Sequence, residues 1–252
     1  MKIKYILLIA ILFVGCSHSK TKIGTDNVDN YLSDKYIKGS VVCYTDTVWE
    51  VEDVFGELVR TGIHSLSKNE INELGNITKK TSYKSDGKLD KIYNYEYSNG
   101  KLSKINAISD NETETTTYYR TNGEIDSIYT LTKTSKDEII VKDIYEKIED
   151  KVFTIHTFDD LAGNYKYVYY YDEKNKLLKT VNDITKKVDY ECIYRDGLLI
   201  EEITYIREFT VKDEYKYEFD DKGSCIKIEH YRVNDKGIRN IVDITTRNIQ
   251  YR

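Results

Sequence analysis

The sequence of 252 residues contains no proline, a single tryptophan and only 13 glycines. The absence of proline excludes collagen-like, proline-rich and mucin-like chains. A surplus of positive charge is also missing, since 38 Lys and Arg stand against 43 Asp and Glu. A protein that binds nucleic acid needs basic side chains to neutralise phosphates, so we expect no nucleic-acid partner. Hydrophobic residues make up 40% of the chain, which is enough for a folded core.

A hydrophobic run long enough to span a bilayer, about 20 residues, is missing as well. The apolar stretch Tyr5–Val14 is half that length and follows Lys2 and Lys4, so residues 1–15 are predicted to be a signal peptide. The stretch ends in Phe13-Val14-Gly15-Cys16, which resembles a bacterial lipobox.

The lipobox resemblance implies cleavage before Cys16, a diacylglyceryl group on its thiol and acylation, for instance by palmitate, of the new amino group. Two or three acyl chains anchor a protein stably. Ser17 stands where an aspartate would retain a lipoprotein at the inner membrane, which implies the outer membrane of a Gram-negative bacterium. Ser17-His18-Ser19-Lys20 lacks the acidic pair that resembles a surface-export signal, so the periplasmic side is favoured over the cell surface. We expect residues 16–27 to be a tether and residues 28–252 to be a single β-repeat domain.

A short motif recurs from about residue 66 to residue 251. Each copy has an aromatic residue, two or three polar residues, a glycine usually preceded by Asp, Asn or Lys, and apolar residues two and often five positions later. Asp-Gly and Asn-Gly supply the positive φ that tight hairpin turns require. The clearest copies are Tyr83–Ile92, Tyr97–Ile105, Tyr119–Ile128 and Phe219–Ile228.

Between the turns, aromatic and polar residues alternate, as in Tyr165, Tyr167, Tyr169 and Tyr171. This period of two predicts strands with one buried and one wet face. The predicted fold class is all-β: a twisted antiparallel meander of repeated hairpins, forming an open or curled sheet of about a dozen strands. The curl could lead toward a barrel or split the sheet into two packed layers. A short helix over residues 26–38 is a further expectation.

The two apolar positions after each glycine are three residues apart, so in a regular strand they would point to opposite faces. Either a β-bulge re-aims the second position to the same face, or the sheet has apolar contacts on both faces. The pattern alone leaves both alternatives open.

These repeats resemble the YD repeats of RHS-type proteins and the tyrosine-glycine repeats of many uncharacterised lipoproteins from Bacteroidetes. Only Tyr171-Asp172 matches the Tyr-Asp pair outright, and no long array or toxin domain accompanies it. The resemblance implies an antiparallel β architecture in the cell envelope and says little about activity.

No catalytic, metal-binding or cofactor-binding residues are predicted. Of His64, His156 and His230, the last two fall in strand-like segments, and no HExxH, GxSxG or phosphate-binding loop occurs. Cys43, Cys192 and Cys225 either include one disulfide or all pack as small buried residues.

Most tyrosines fit a buried row, but Tyr118 and Tyr170 are out of phase with the rows. We therefore select Tyr118, Tyr170 and Trp49 as candidates for a surface aromatic binding patch. The leading hypothesis is a lipid-anchored, non-enzymatic envelope protein that binds an envelope protein or glycan. The alternatives are an envelope polysaccharide hydrolase and an immunity-type lipoprotein that captures a toxin.

Overall fold

The computed structural model describes residues 36–252, except residues 123, 175, 207, 208 and 235. The predicted signal peptide, Cys16, the tether and most of the expected helix at 26–38 lie outside the described residues. All regular elements of the described part are strands, in the order β1 (Val41–Val54), β2 (Glu57–Ile71), β3 (Ile77–Lys84), β4 (Leu89–Ser98), β5 (Lys101–Ile108), β6 (Glu112–Thr121), β7 (Glu124–Thr134), β8 (Glu138–Glu149), β9 (Val152–Asp159), β10 (Gly163–Tyr171), β11 (Leu177–Asn182), β12 (Val188–Arg195), β13 (Leu198–Ile206), β14 (Phe209–Phe219), β15 (Cys225–Val233) and β16 (Arg239–Tyr251).

The sheet closes on itself. Each strand pairs antiparallel with the next one, and β16 pairs back to β1, with Tyr44 opposite Ile249 and Val48 opposite Thr245. The predicted open or curled sheet is therefore wrong, whereas the all-β, antiparallel character was predicted correctly. The physical reason for closure is that an open sheet leaves two edges with unpaired N–H and C=O groups, and a barrel has none.

A β-bulge recurs just after the turns, and it places the two apolar residues that follow each glycine on the same face of the sheet. Tyr97 lies opposite Leu102 while Glu96 lies opposite Lys104, so Ser103 is the extra residue. Leu102 and Ile105 consequently point to the same face. Equivalent bulges occur where β3 meets β4, β6 meets β7, β12 meets β13 and β14 meets β15.

The short segment before β1 identifies the inner face of the barrel. The Tyr36 ring packs edge-on against Tyr217 of β14, with centroids 5.2 Å apart. The next residue, Ile37, belongs to a core cluster with Tyr44 of β1, against which Tyr95 of β4 packs. The pairing registers place Tyr44, Tyr95 and Tyr217 on one face of the sheet. Because these strands are far apart around the ring, one segment reaches all three only from inside.

The seam between β1 and β16 has no turn to hold it, and side chains bridge it on both faces. On the inner face, Arg247 Nε donates to Asp46 Oδ1 at 2.6 Å and Nη2 donates to Oδ2 at 3.1 Å. The Arg247 side chain is only 4% exposed. On the outer face, Trp49 Nε1 donates to Thr246 Oγ1 at 2.8 Å.

The two ends of the barrel have different turns. The entry end, where Tyr36 lies, carries the turns that follow the even-numbered strands, several of them tight Asn-Gly or Asp-Gly pairs such as Asn99-Gly100 and Asp196-Gly197, with positive φ at both residues. The far end carries the turns that follow the odd-numbered strands.

Candidate functional site

Tyrosines line the inner face over most of the ring. The registers place there Tyr44, Tyr93, Tyr95, Tyr97, Tyr118, Tyr145, Tyr165, Tyr167, Tyr169, Tyr171, Tyr190, Tyr194, Tyr215 and Tyr217. Burial raises the pKa of Tyr165 to about 12 and raises the pKa of Tyr97 and Tyr169 still further. The inner face is therefore an aromatic lining whose hydroxyls stay protonated at neutral pH.

A charged cluster on the inner face surrounds His230 of β15. Its Nδ1 lies 3.0 Å from Asp243 Oδ2, and its Nε2 lies 3.3 Å from Asp213 Oδ1. Arg232 Nε donates to the same Asp213 oxygen at 2.9 Å, and the Tyr215 ring stacks on the imidazole. Burial alone would lower the pKa of His230, but the two carboxylates outweigh it and raise the pKa to about 9. The imidazole is consequently a cation at neutral pH.

A third carboxylate, which is buried, lies beside this cluster. Glu202 of β13 is 5% exposed, and it accepts a hydrogen bond from Tyr190 Oη at 2.5 Å and another from Tyr215 Oη at 2.6 Å. The acids and bases on the inner face of β13–β16 thus bind one another or nearby tyrosines across neighbouring strands. Such mutual pairing suits a structural role, because little of their bonding capacity points to a substrate.

Sequence reasoning treated His230 as an isolated strand residue and missed this cluster. Asp213 and Asp243 lie on the two strands adjacent to His230, and only the pairing register brings the three together. No spacing signal in the sequence marks them.

The outer face carries ion pairs along the middle of several strands. Lys212 Nζ lies 2.6 Å from Glu201 and 3.4 Å from Glu214, and Lys227 Nζ lies 2.9 Å from Glu229. Strands that cross a bilayer have an apolar outer band, in which one Lys or Arg at the midplane costs about 2–4 kcal/mol. The outer face of β13–β15 is therefore suited to water.

An open cavity of 680 Å³ lies near the entry end, where β9 to β12 run side by side. This volume falls within the range of about 300–1,000 Å³ that is typical of small-ligand pockets. Most of its lining is on the outer face and combines apolar, aromatic and charged groups, among them Val152, Tyr170, Leu178, Ile193, Lys151, Lys179, Glu173 and Glu191. The Lys179 ammonium lies 4.7 Å from the centroid of the Tyr170 ring.

The three aromatic candidates are placed differently. Tyr170 lies on the outer face in the cavity. Tyr118 lies on the inner face, where the Arg120 guanidinium is 5.8 Å from its ring, and the neighbouring Tyr119 is the exposed one. Trp49 lies on the outer face at the seam, with Arg60 over its ring. The structure does not bring the three together.

The three cysteines within residues 36–252 are free thiols: Cys192 and Cys225 are buried, and Cys43 is half-buried. Among the described residues, no group of three or more His, Cys, Asp and Glu side chains is arranged to hold a metal ion. No helix within the described residues is long and apolar enough to cross a membrane.

No protein-family model matches the chain, and no curated protein matches it either. Among solved structures, the chain is similar to a porin-like protein from Bacteroides uniformis, with 12% identity over 83% of this chain and 96% of that chain and a TM-score of 0.40. It is also similar to a porin-like protein from Bacteroides vulgatus, with 11% identity over 85% of this chain and 99% of that one and a TM-score of 0.30. Similarity this distant carries no argument about function.

The family resemblance inferred from the repeats is wrong. The hairpins close into a sixteen-strand barrel instead of an open sheet of RHS-type YD repeats, and no family model of such repeats matches. Asn-Gly and Asp-Gly turns between tyrosine-rich strands are a general solution for hairpins, so they do not by themselves identify a family.

Proposed function

We propose that this chain is a non-enzymatic protein of the bacterial cell envelope, attached to the outer membrane, on its periplasmic side, by acyl chains on Cys16. In this proposal the barrel stands in water and binds an envelope glycan in the cavity beside Tyr170. Two observations support the arrangement: the lipobox-like sequence that ends at Cys16, and the ion-paired outer face of β13–β15.

The cavity beside Tyr170 is the observation that carries the binding function. An aromatic ring next to Leu178 and Ile193 provides an apolar surface for the C–H face of a sugar ring. Lys179 and Glu191 supply a donor and an acceptor for sugar hydroxyls in the same cavity. This combination fits a neutral or mixed-charge saccharide.

The hydrolase alternative has less support. A glycosidase uses two carboxyl groups about 5 Å or 6.5–9.5 Å apart that face the substrate. In the cavity itself, Glu191 already accepts a hydrogen bond from Tyr205 Oη at 2.7 Å. The inner carboxylates Glu202, Asp213 and Asp243 are bonded to tyrosine, histidine and arginine side chains. No contact among the described residues favours the immunity-type alternative.

The mode of attachment is tested by fractionation of cells that express the native chain or Cys16→Ser. The native protein should stay with the membrane after alkaline carbonate washing, and the variant should become soluble. A variant that stays with washed membranes would show that the strands, and not acyl chains, hold the protein there.

Glycan binding is tested by isothermal titration of the mature chain with polysaccharide released from outer membranes. Tyr170→Ala should weaken binding about fivefold or more, because stacked aromatic contacts contribute on the order of 1 kcal/mol or more. Tyr119→Ala is the matched control, since Tyr119 is exposed and does not line the cavity. Both variants should melt within a few degrees of the native protein. Equal affinity of Tyr170→Ala and the native chain would end the proposal.

A further inference from the structure

The far end of the barrel presents large apolar side chains at the tips of its hairpins. Phe55, Leu161, Ile184, Phe209 and Ile238 are each more than half exposed, and Phe55 is fully exposed. They belong to the β1–β2, β9–β10, β11–β12, β13–β14 and β15–β16 hairpins, which are consecutive around the closed ring. We call these five side chains the apolar arc.

The rest of the far end has a different character. The three remaining hairpins, β3–β4, β5–β6 and β7–β8, have polar turn residues at Lys84–Lys88, Ser109–Asn111 and Ser135–Asp137. Leu89 and Ile108, which flank two of these turns, are 41% and 49% exposed, less than any side chain of the arc. Single exposed apolar residues are ordinary on a protein surface, but one at the tip of each of five neighbouring hairpins is a patterned feature. The most exposed apolar side chains of the far end therefore lie on one side of the ring.

We propose that the apolar arc docks the barrel onto the surface of a phospholipid bilayer. Neighbouring hairpins are two strands apart, about 10 Å, so the arc extends over roughly 40 Å as separate side chains. A protein partner binds best through a contiguous packed cluster, whereas a flat, fluid surface accepts separate side chains along a curve. The bilayer is therefore the occupant that the geometry fits.

Charge at the arc indicates insertion by apolar side chains and not attraction to anionic headgroups. Next to Ile184, the Lys186 ammonium is paired with Asp183 at 2.6 Å. The whole chain has a formal net charge of −5, so it has no basic surplus to offer an anionic surface. Docking should thus not require anionic lipid, and salt should not reverse it.

The proposed acyl anchor and the arc can reach the same bilayer, although the described chain starts at the opposite end. Between Cys16 and Tyr36 a fully extended chain covers at most roughly 65 Å. The longest strand, β2, has 15 residues, which span about 50 Å. The docking itself does not depend on the acyl chains.

The test uses the mature chain carrying Cys16→Ser, so that no acyl chain contributes, in flotation with vesicles. We expect this protein to float with phosphatidylcholine vesicles and with phosphatidylethanolamine–phosphatidylglycerol vesicles alike, at low and high salt. The triple variant Phe55→Asn, Ile184→Ser and Phe209→Ser should bind at least about tenfold more weakly. Asn is chosen at position 55 because φ there is +56°.

A matched pair of single variants supplies the control. Leu161 in the arc is 66% exposed, and Leu74 in a turn of the entry end is 67% exposed. Leu161→Ser should weaken vesicle binding, and Leu74→Ser should not. Circular dichroism should show an unchanged strand content for every variant.

Three outcomes would overturn the proposal. The Cys16→Ser chain could fail to float, Leu161→Ser and Leu74→Ser could weaken vesicle binding equally, or the chain could bind only anionic vesicles in a way that salt reverses. If light scattering instead showed a dimer that the triple variant abolishes, the arc would be an interface between two copies. Failure of the acyl anchor would show in cell fractionation and not in this assay, so the two proposals fail separately.

Discussion

The barrel has two kinds of joint between strands, and they are stabilised in different ways. Within the hairpins, a tight turn such as Asn99-Gly100 fixes the register locally, and the side chains only need to pack. At the seam, β1 and β16 come from opposite ends of the described chain and share no turn. There the buried Arg247–Asp46 pair and the Trp49–Thr246 hydrogen bond bridge the strands. Local turns build a meander, and backbone pairing and side-chain bonds between residues distant in sequence close it.

The seam should be the most sensitive place in the barrel. Arg247→Ala leaves the Asp46 carboxylate buried without its bidentate partner, which typically costs about 3–5 kcal/mol. We expect this loss in the free energy of unfolding measured by urea titration. Lys212→Ala, which removes a half-exposed ion pair on the outer face, should cost less than about 1 kcal/mol.

The double variant Asp46→Leu with Arg247→Leu sharpens this comparison. Apolar residues of similar volume often replace a buried ion pair without loss, so the double variant should recover most of the stability. A double variant as unstable as Arg247→Ala would mean that the charges themselves are required for closure.

The His230 cluster, beside the seam, should make stability dependent on pH. The folded pKa of His230, about 9, is above the ordinary value of 6.5, so the protonated form stabilises the folded state. Its contribution, on the order of 2–3 kcal/mol, is complete below pH 6.5 and is lost as the pH rises through about 9.

The stability difference between the native protein and His230→Gln, measured from pH 6 to pH 9.5, should follow this course. His64→Gln, on an exposed part of β2, should show no such trend. A difference that stays constant over the whole range would contradict the assignment of charge to His230.

A single hairpin should be less sensitive than the seam. Gly100 has a φ of +75° in a two-residue turn, a conformation that costs an L-residue roughly 1 kcal/mol or somewhat more. Gly100→Ala should therefore lower stability by about that amount in thermal unfolding. Asn99→Gly, at φ +52°, is the control and should be close to neutral. A loss at Gly100 as large as that of Arg247→Ala would remove the distinction between the two joints.

The smallest effect is expected on the outer side of the seam. Trp49→Phe keeps an aromatic ring but removes the N–H that Thr246 accepts, which should cost about 0.5–1.5 kcal/mol. Thr246→Val tests the same bond from the other side, and the two losses should not add in the double variant. Fully additive losses would show that the hydrogen bond does not contribute.

The strands and most turns follow from the sequence, because alternation and Asp-Gly or Asn-Gly pairs are local signals. Closure does not follow, because Asp46 and Arg247 carry no local sign that they meet across 201 positions. The cavity cannot be predicted from the sequence either, since residues of β9 to β12 form it together. The alternation of residues in β10 did, however, predict that Tyr170 points to the face opposite the tyrosine row.

Tyr118 shows why phase alone is an incomplete guide. In the turn after β14 the aromatic Phe219, four residues before its glycine, lies opposite Cys225 on the inner face. In the two-residue turn after β6, the residue opposite Ile125 is Arg120, three residues before the glycine. In the shorter turn, the residue that faces inward is therefore one position closer to the glycine. Tyr118 consequently shares the inner face with Arg120, and Tyr119 points outward. Turn length must be known before the face can be assigned.

Antiparallel closure also restricts how a chain of this kind can grow or shrink. Since β16 runs antiparallel to β1, the number of strands in the ring must be even. Duplication or loss of one strand with its turn would leave the last strand parallel to the first and break the seam. Duplication or loss of a whole hairpin keeps the last strand antiparallel to the first, so the seam can still pair. Length variants of this barrel should therefore differ by whole hairpins, each about two strands and two turns long.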